Sequence, residues 1–167
     1  MKNEQTIAWA LFKTFVFTLI VPGTVGVFIP RWIILANGGS QSFPHGWWRW
    51  IGSVPLVAGF CVYLVCAWDF AVSGLGTPAP IDMPRKLVVK GLYRFVRNPM
   101  YVGVASFVVG QALVFRSGAV LVYVACVWVL FNLFVIFHEE PTLHRTFGEE
   151  YEEYCRRVPR WLPRAGR

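Results

Sequence analysis

The stretch "SGAVLVYVACVWVLFNLFVIF", Ser117 to Phe137, decides the fold, because it runs for 21 residues without a charge. A helix of about 20 residues crosses roughly 30 Å of hydrocarbon. Three further uncharged runs precede it: Thr14–Pro30 with 17 residues, Ile51–Trp68 with 18 and Met100–Phe115 with 16. The whole chain of 167 residues is 56% hydrophobic and 15% charged, far from the usage of a soluble domain. It reads as all-α: one integral membrane bundle over residues 1–167, of about four transmembrane helices, with spans near 8–30, 50–70, 99–115 and 117–138. The third run is short, and Arg97 and Arg116 at its ends can carry their charges outward along apolar stems. The first run contains Pro22, ends on Pro30 and is followed by Trp32, with no small-residue cleavage pattern, so it is expected to be retained. Its start is left open, since Lys13 falls inside the longer stretch Ile7–Pro30.

The 16 Lys and Arg set the orientation. Thirteen fall on one side of the four spans, and three, Arg31, Arg49 and Arg116, on the other. Basic residues concentrate in the cytoplasm, which puts both termini there, in a bacterial inner membrane. Trp32, Trp47, Trp48 and Trp50 then form an outer interfacial belt, and Trp9, Trp68 and Trp161 an inner one. The net charge of +7 is explained by orientation and anionic lipid, and nothing in it asks for nucleic acid. The 4 cysteines, Cys61, Cys66, Cys126 and Cys155, show no C-x-x-C pairing and no disulfide framework.

Both outer connections are short, whereas the inner side carries the segment Ala71–Asn98 and the tail 139–167. In that tail Phe147, Tyr151, Tyr154, Cys155, Val158 and Trp161 make one helical stripe, expected to lie at the cytoplasmic interface. Glu152–Arg156 and Glu153–Arg157 are spaced to pair on the opposite face.

Polar residues at the inner lip carry the chemistry. Asn98-Pro99 is a standard helix start, Asn as cap and Pro in the first position, but Tyr93, Arg94, Phe95, Arg97 and Tyr101 crowd the same end. Free N–H groups there favour an anion. Glu139-Glu140 closes the last span where the helix dipole and the basic side both favour cations, so a pair of carboxylates needs positive partners. Those partners are either Arg94, Arg97 or Arg145, or a cationic ligand. His138 and His144 are six apart with Pro141 between them, which is wrong for H-E-x-x-H, and no metal is expected. Asp69 is expected to cap the inner end of the second span, and Lys13 to snorkel.

Taken in order, "GLYRFVRNPMYVG", a helical hairpin, then Glu139-Glu140 ahead of "FGEEYEEYCRRVPRWLPR" resembles the isoprenylcysteine carboxyl methyltransferase family, within the wider group that includes phospholipid N-methyltransferases. The resemblance covers Arg85 to Pro163. It implies methyl transfer from S-adenosyl-L-methionine at the cytoplasmic face to a lipophilic or small apolar acceptor. It implies that Arg85, Lys86, Leu87, Val88, Tyr93, Asn98, Pro99, Met100, Tyr101 and Glu139 contact the cofactor. Val135, Arg94, Arg97 and Glu140 are then candidates for the acceptor side. Two positions depart from the family pattern: Asn98 stands where its His-Pro has histidine, and Val135 stands where the prenylcysteine enzymes have a substrate-binding arginine. The acceptor group, whether carboxylate, amine, thiol or hydroxyl, stays open. A catalytically silent scaffold of the same fold is the alternative. A small transporter is disfavoured, because the runs Ile51–Trp68, Met100–Phe115 and Ser117–Phe137 hold no ionisable residue other than cysteine and tyrosine.

Overall fold

In the computed structural model residues 2–39, 46–70 and 87–163 are described. All regular structure among them is helical. Helix α1 (Lys2–Gly23) passes through a π-turn at Thr24–Phe28 into α2 (Ile29–Ala36). Next come α3 (Trp48–Asp69), a 3₁₀ turn at Gly91–Arg94, and α4 (Pro99–Val114). Helix α5 (Gly118–Phe134) continues through a second π-turn, Val135–Glu139, into α6 (Glu140–Phe147), and α7 (Glu149–Arg157) follows. Leu11–Ala36, Trp48–Asp69 and Gly118–Phe147 are long and apolar enough to cross a membrane, and α4 is the shorter fourth apolar helix. The bundle expected from the sequence is present.

Helices α3 and α4 form the centre, packed backbone to backbone through glycines. A Cβ on Gly59 would stand 2.5 Å from the Gly103 carbonyl oxygen, one on Gly110 2.4 Å from the Leu56 nitrogen, and one on Gly52 2.7 Å from the Val114 nitrogen. Lipid tails are as apolar as leucine, so helices in a bilayer associate through such close packing, not through a hydrophobic driving force. Elsewhere Val108, Ala112, Val120 and Val124 join α4 to α5, with Ile34 of α2 against them.

Each π-turn is followed, two residues on, by proline: Pro30 after Thr24–Phe28, and Pro141 after Val135–Glu139. In the first, the Ile29 N–H reaches back to the Thr24 oxygen. Pro30 has no N–H for the Gly26 carbonyl four residues back, and the change from the wider π spacing to α spacing leaves the Val25 carbonyl without a helical donor as well. Side chains supply replacements. Gln111 Nε2 donates to the Gly26 oxygen at 2.6 Å, and Tyr123 Oη to the Val25 oxygen at 2.8 Å. These bonds tie the first span to α4 and α5 at a depth where water cannot serve.

The second π-turn corrects the sequence reading. The helix does not stop at residue 138 with a tail from 139, but runs through Pro141 to Phe147. The Glu140 N–H bonds back to the Val135 oxygen, so the wider turn absorbs the proline before it can break the helix. The stripe on α7 is as expected, but it packs on protein: Tyr151, Tyr154 and Val158 are buried with Leu87, Leu143 and Phe147 around them. On the exposed face Glu153 pairs with Arg157 and, at 3.0 Å, with Arg156, while Glu152 meets His144 Nε2 at 3.1 Å, so the expected Glu152–Arg156 pair is replaced.

Candidate functional site

The basic-side ends of α3, α4 and α5 converge with the 3₁₀ turn and the segment after α7. Residues 158–161, "VPRW", lie across the start of α4. The Arg97 N–H donates to the Pro159 oxygen at 2.9 Å, and Asn98 Nδ2 to the Arg160 oxygen at 3.3 Å. Asn98 therefore occupies the cap position before Pro99 but turns its side chain to this strap, making no cap hydrogen bond. Tyr154 Oη donates to the Tyr93 oxygen at 2.7 Å, fixing α7 to the 3₁₀ turn. Burial pushes both the Tyr93 and Tyr154 phenols up, so both stay protonated donors.

The two adjacent glutamates differ in surroundings. Glu140 accepts from Arg160 through Nε at 2.7 Å and Nη2 at 2.8 Å, a bidentate pair, and also forms an ion pair with Arg97 Nη1 at 3.1 Å, whose hydrogen bond goes to Cys155 Sγ. The hydrogen bond to Glu140 holds the Arg160 guanidinium above its ordinary range. Glu139 instead accepts from Tyr101 Oη at 2.8 Å, and among the described residues no cation lies within ion-pair distance of it. The sequence reading that both need positive partners is met for Glu140 by Arg97 and by Arg160, which it had not singled out. Arg94 is exposed on the 3₁₀ turn.

Rings wall the Tyr101 side. Tyr101 lies 4.8 Å from Phe131 and 6.4 Å from Trp161, and Trp161 lies 4.6 Å from Trp128, centroid to centroid. Trp161 is thus part of this wall as well as a boundary residue. On the α3 side Cys66, Val88 and Tyr93 are buried together, with Met100 and Phe70 against them. Asp69 does not act as a cap: its Oδ2 is buried, has no hydrogen-bond partner among the described residues, and sits against Gly91, where a Cβ would collide with it.

The sequence-derived candidates divide accordingly. Val88, Tyr93, Asn98, Pro99, Met100, Tyr101 and Glu139 come together at this lip, and Leu87 packs beneath α7. Arg85 and Lys86 lie outside the described residues. Val135 is fully buried at the start of the π-turn, so it presents no open wall to an acceptor. His138 stacks on Phe134 at 5.0 Å and His144 faces Glu152, so the two are drawn to different partners.

The sequence profile of the phospholipid methyltransferase family matches residues 47–150. Among curated proteins, the chain is 34% identical over 79 residues to a probable protein-S-isoprenylcysteine O-methyltransferase of Oryza sativa subsp. indica, covering 47% of this chain and 41% of that one. It is 38% identical over 78 residues to the protein-S-isoprenylcysteine O-methyltransferase of Mus musculus, 46% of this chain and 27% of that one. It is 37% identical over 84 residues to a methanethiol S-methyltransferase of Crocosphaera subtropica, 50% of this chain and 32% of that one. The chain thus spans less than half the length of the curated relatives it matches. No solved structure matches it. The glycine-packed helices, the hairpin after α4 and the glutamate pair all fall within the matched residues, and the chain belongs to the phospholipid methyltransferase family.

Proposed function

We propose that this chain is an integral-membrane methyltransferase that uses S-adenosyl-L-methionine and acts on a lipophilic or small apolar acceptor at the cytoplasmic face. The observation that carries the reading is the inequality of two neighbouring carboxylates. Glu140 is neutralised by two arginines, whereas Glu139 is held in a ring-walled corner with only a phenol against it. A carboxylate so placed is costly until a cation or further donors meet it. The cofactor's ammonium and ribose diol are groups of that kind. Bound there, the cofactor supplies an activated methyl group, and the residues at the lip contribute alignment and exclusion of water. Glu139 and Tyr101 hold the polar part; Val88, Tyr93 and Met100 offer the apolar wall, with Leu87 beneath α7. Asn98 and Pro99 fix the start of α4 against the strap, and Arg85 and Lys86 belong to the same proposed cofactor set. The relatives named above act, by their names, on an oxygen of protein-S-isoprenylcysteine and on the sulfur of methanethiol, which sets the range of acceptors to screen.

Residues 1–167 then form one methyltransferase domain with both termini in the cytoplasm, the side that carries thirteen of the 16 Lys and Arg. Calorimetry of the detergent-solubilised protein with S-adenosylhomocysteine tests the reading, followed by a labelled-methyl screen over membrane extracts. Absence of binding would reduce the chain to a silent scaffold.

A further inference from the structure

We infer that the cleft between the first span and the α3–α4 pair binds one hydrocarbon chain of a lipid from the leaflet on the basic side, and that this chain fastens the span to the bundle. The inference goes beyond the proposed function and stands on the packing of the spans alone.

A cavity of about 200 Å³ lies between α1 with its π-turn on one side and α3 and α4 on the other. The sequence of the first span makes room for it, because Pro22, Gly23 and Gly26 present little or no side chain to the facing wall of Phe60, Val104 and Phe107. An interhelical hydrogen bond closes each end. Thr18 Oγ1 and Tyr63 Oη stand 2.6 Å apart at one, and Gln111 Nε2 donates to the Gly26 oxygen at 2.6 Å at the other. From Thr18 to Gly26 is about 12 Å of helix.

The lining selects hydrocarbon. The one hydroxyl proton of Thr18 goes to the Thr14 oxygen at 2.7 Å, so Tyr63 supplies the proton of the Thr18–Tyr63 pair, and neither group has another to give. Apolar cavities of about 150 Å³ stay dry and take up benzene, so this one has room for a segment of about eight carbons. Leu19, Val27 and Phe60 on its rim are exposed, so the cleft opens sideways from the bundle. Val104 and Phe107 lie about 8–12 Å along α4 from its basic-side end, within the hydrocarbon of the near leaflet. A chain seated there gains dispersion contacts on both walls, the same kind of packing that holds helices together in a bilayer.

The chain comes from a lipid and not from a methyl acceptor. Tyr63 and Val104 are buried with Met100 and Phe131 packed against them, and this layer stands between the cleft and the Tyr101–Glu139 corner.

The test reconstitutes the full-length protein in vesicles of phosphatidylethanolamine and phosphatidylglycerol that carry a phospholipid with a diazirine midway along one acyl chain. After illumination the labelled residues are mapped by mass spectrometry. Label within residues 18–27 and 60–63 should exceed that at Leu130, exposed on α5, at least threefold. A Cβ on Gly26 meets only the Phe107 ring, at 3.6 Å, so Gly26→Leu can fill the cleft from one wall, and Val104→Phe fills it from the other. Each should cut the cleft label at least fivefold and leave the Leu130 label unchanged. Returning phospholipid to the delipidated parent in detergent should raise its unfolding temperature by at least about 3 °C, a gain the filled variants should lack. If one variant fails to fold, the other and the parent ratio decide. Equal label at the cleft and at Leu130 in the parent would mean ordinary bilayer contact and overturns the inference. Absence of label in the cleft, as a second copy of the chain seated there would produce, overturns it too. So does cleft label that persists in a folded filled variant. Label that appears only with S-adenosylhomocysteine would assign the cleft to the acceptor and also overturn it.

Discussion

Tyr101 on α4 and Glu139 in the π-turn after α5 face each other across the basic-side end of the hairpin, Tyr101 Oη donating to Glu139 Oε2 at 2.8 Å. The bond joins two helices whose sequence neighbours, Asn98 and Glu140, are joined separately through the strap at residues 158–161. Two sets of contacts therefore hold the lip, and only one of them involves the carboxylate without a cation.

Glu139→Gln keeps the shape and removes the charge. Losing a charge-assisted hydrogen bond to a ligand costs about 1.5–3 kcal/mol, so S-adenosylhomocysteine should bind roughly tenfold to a hundredfold more weakly. Tyr101→Phe removes only the donor that orients Glu139, and its effect should be smaller, about 0.5–1.5 kcal/mol. Calorimetry on both variants checks the ranking. A larger loss from Tyr101→Phe than from Glu139→Gln would assign the contact to the phenol.

Topology can be read at Leu162, which is 77% exposed just beyond the strap. Cys155 is poorly suited because it is half-buried with Arg97 Nη1 against its sulfur. In a background where the native cysteines are serine or alanine, Leu162→Cys should react with a membrane-impermeant thiol reagent in inverted vesicles and be spared in intact cells. The reverse pattern would invert the proposed orientation and move the site to the other face.

The glycine contacts between α3 and α4 give a stability prediction. Gly110→Ala places a methyl 2.4 Å from the Leu56 backbone nitrogen, which cannot rotate away, so the helices must part. Overpacking of this kind costs about 1–3 kcal/mol, and thermal unfolding in detergent should fall accordingly. Gly118→Ala, with nothing near its Cβ position, serves as the control and should leave the transition where it is.

The apolar runs made the bundle legible, because length and absence of charge are the properties that a bilayer selects. Gly91–Tyr101 and Glu139-Glu140 were legible as the lip for the same reason: polar groups at a span end need an explanation. Three features were not read. The seven-residue spacing of Gly52 with Gly59, and of Gly103 with Gly110, marks the packing faces only once α3 and α4 are known to be neighbours. The roles of Arg160 and Trp161 depend on the chain folding back over α4, which no local pattern announces. The π-turns were hidden because proline was read as a break. In a helix with one residue of slack proline breaks nothing, and the slack itself leaves no mark on composition.

The first π-turn allows that account to be measured. Gln111, only 8% exposed, donates to the Gly26 carbonyl, the acceptor that a non-proline residue at position 30 would satisfy from within the helix. In the parent, Gln111→Leu leaves that carbonyl without a donor in an apolar setting, at about 1–3 kcal/mol. Pro30→Ala has a cost of its own, since the fully buried ring leaves a cavity, but it also returns an N–H to the turn. If the proline is why Gln111 is needed, the two changes are coupled: Gln111→Leu should cost about 1 kcal/mol less in the Pro30→Ala background than in the parent, within the range seen for residues sharing one hydrogen-bond network. Tyr123→Phe, which frees the neighbouring Val25 carbonyl, is the contrast: the one N–H restored at position 30 goes to Gly26, so this change should be additive with Pro30→Ala. Thermal or denaturant unfolding of the four proteins in each cycle gives the coupling directly. Strictly additive costs would mean that the amide and the proline act independently, and that the bond from Gln111 fastens the first span to α4 without repairing the turn.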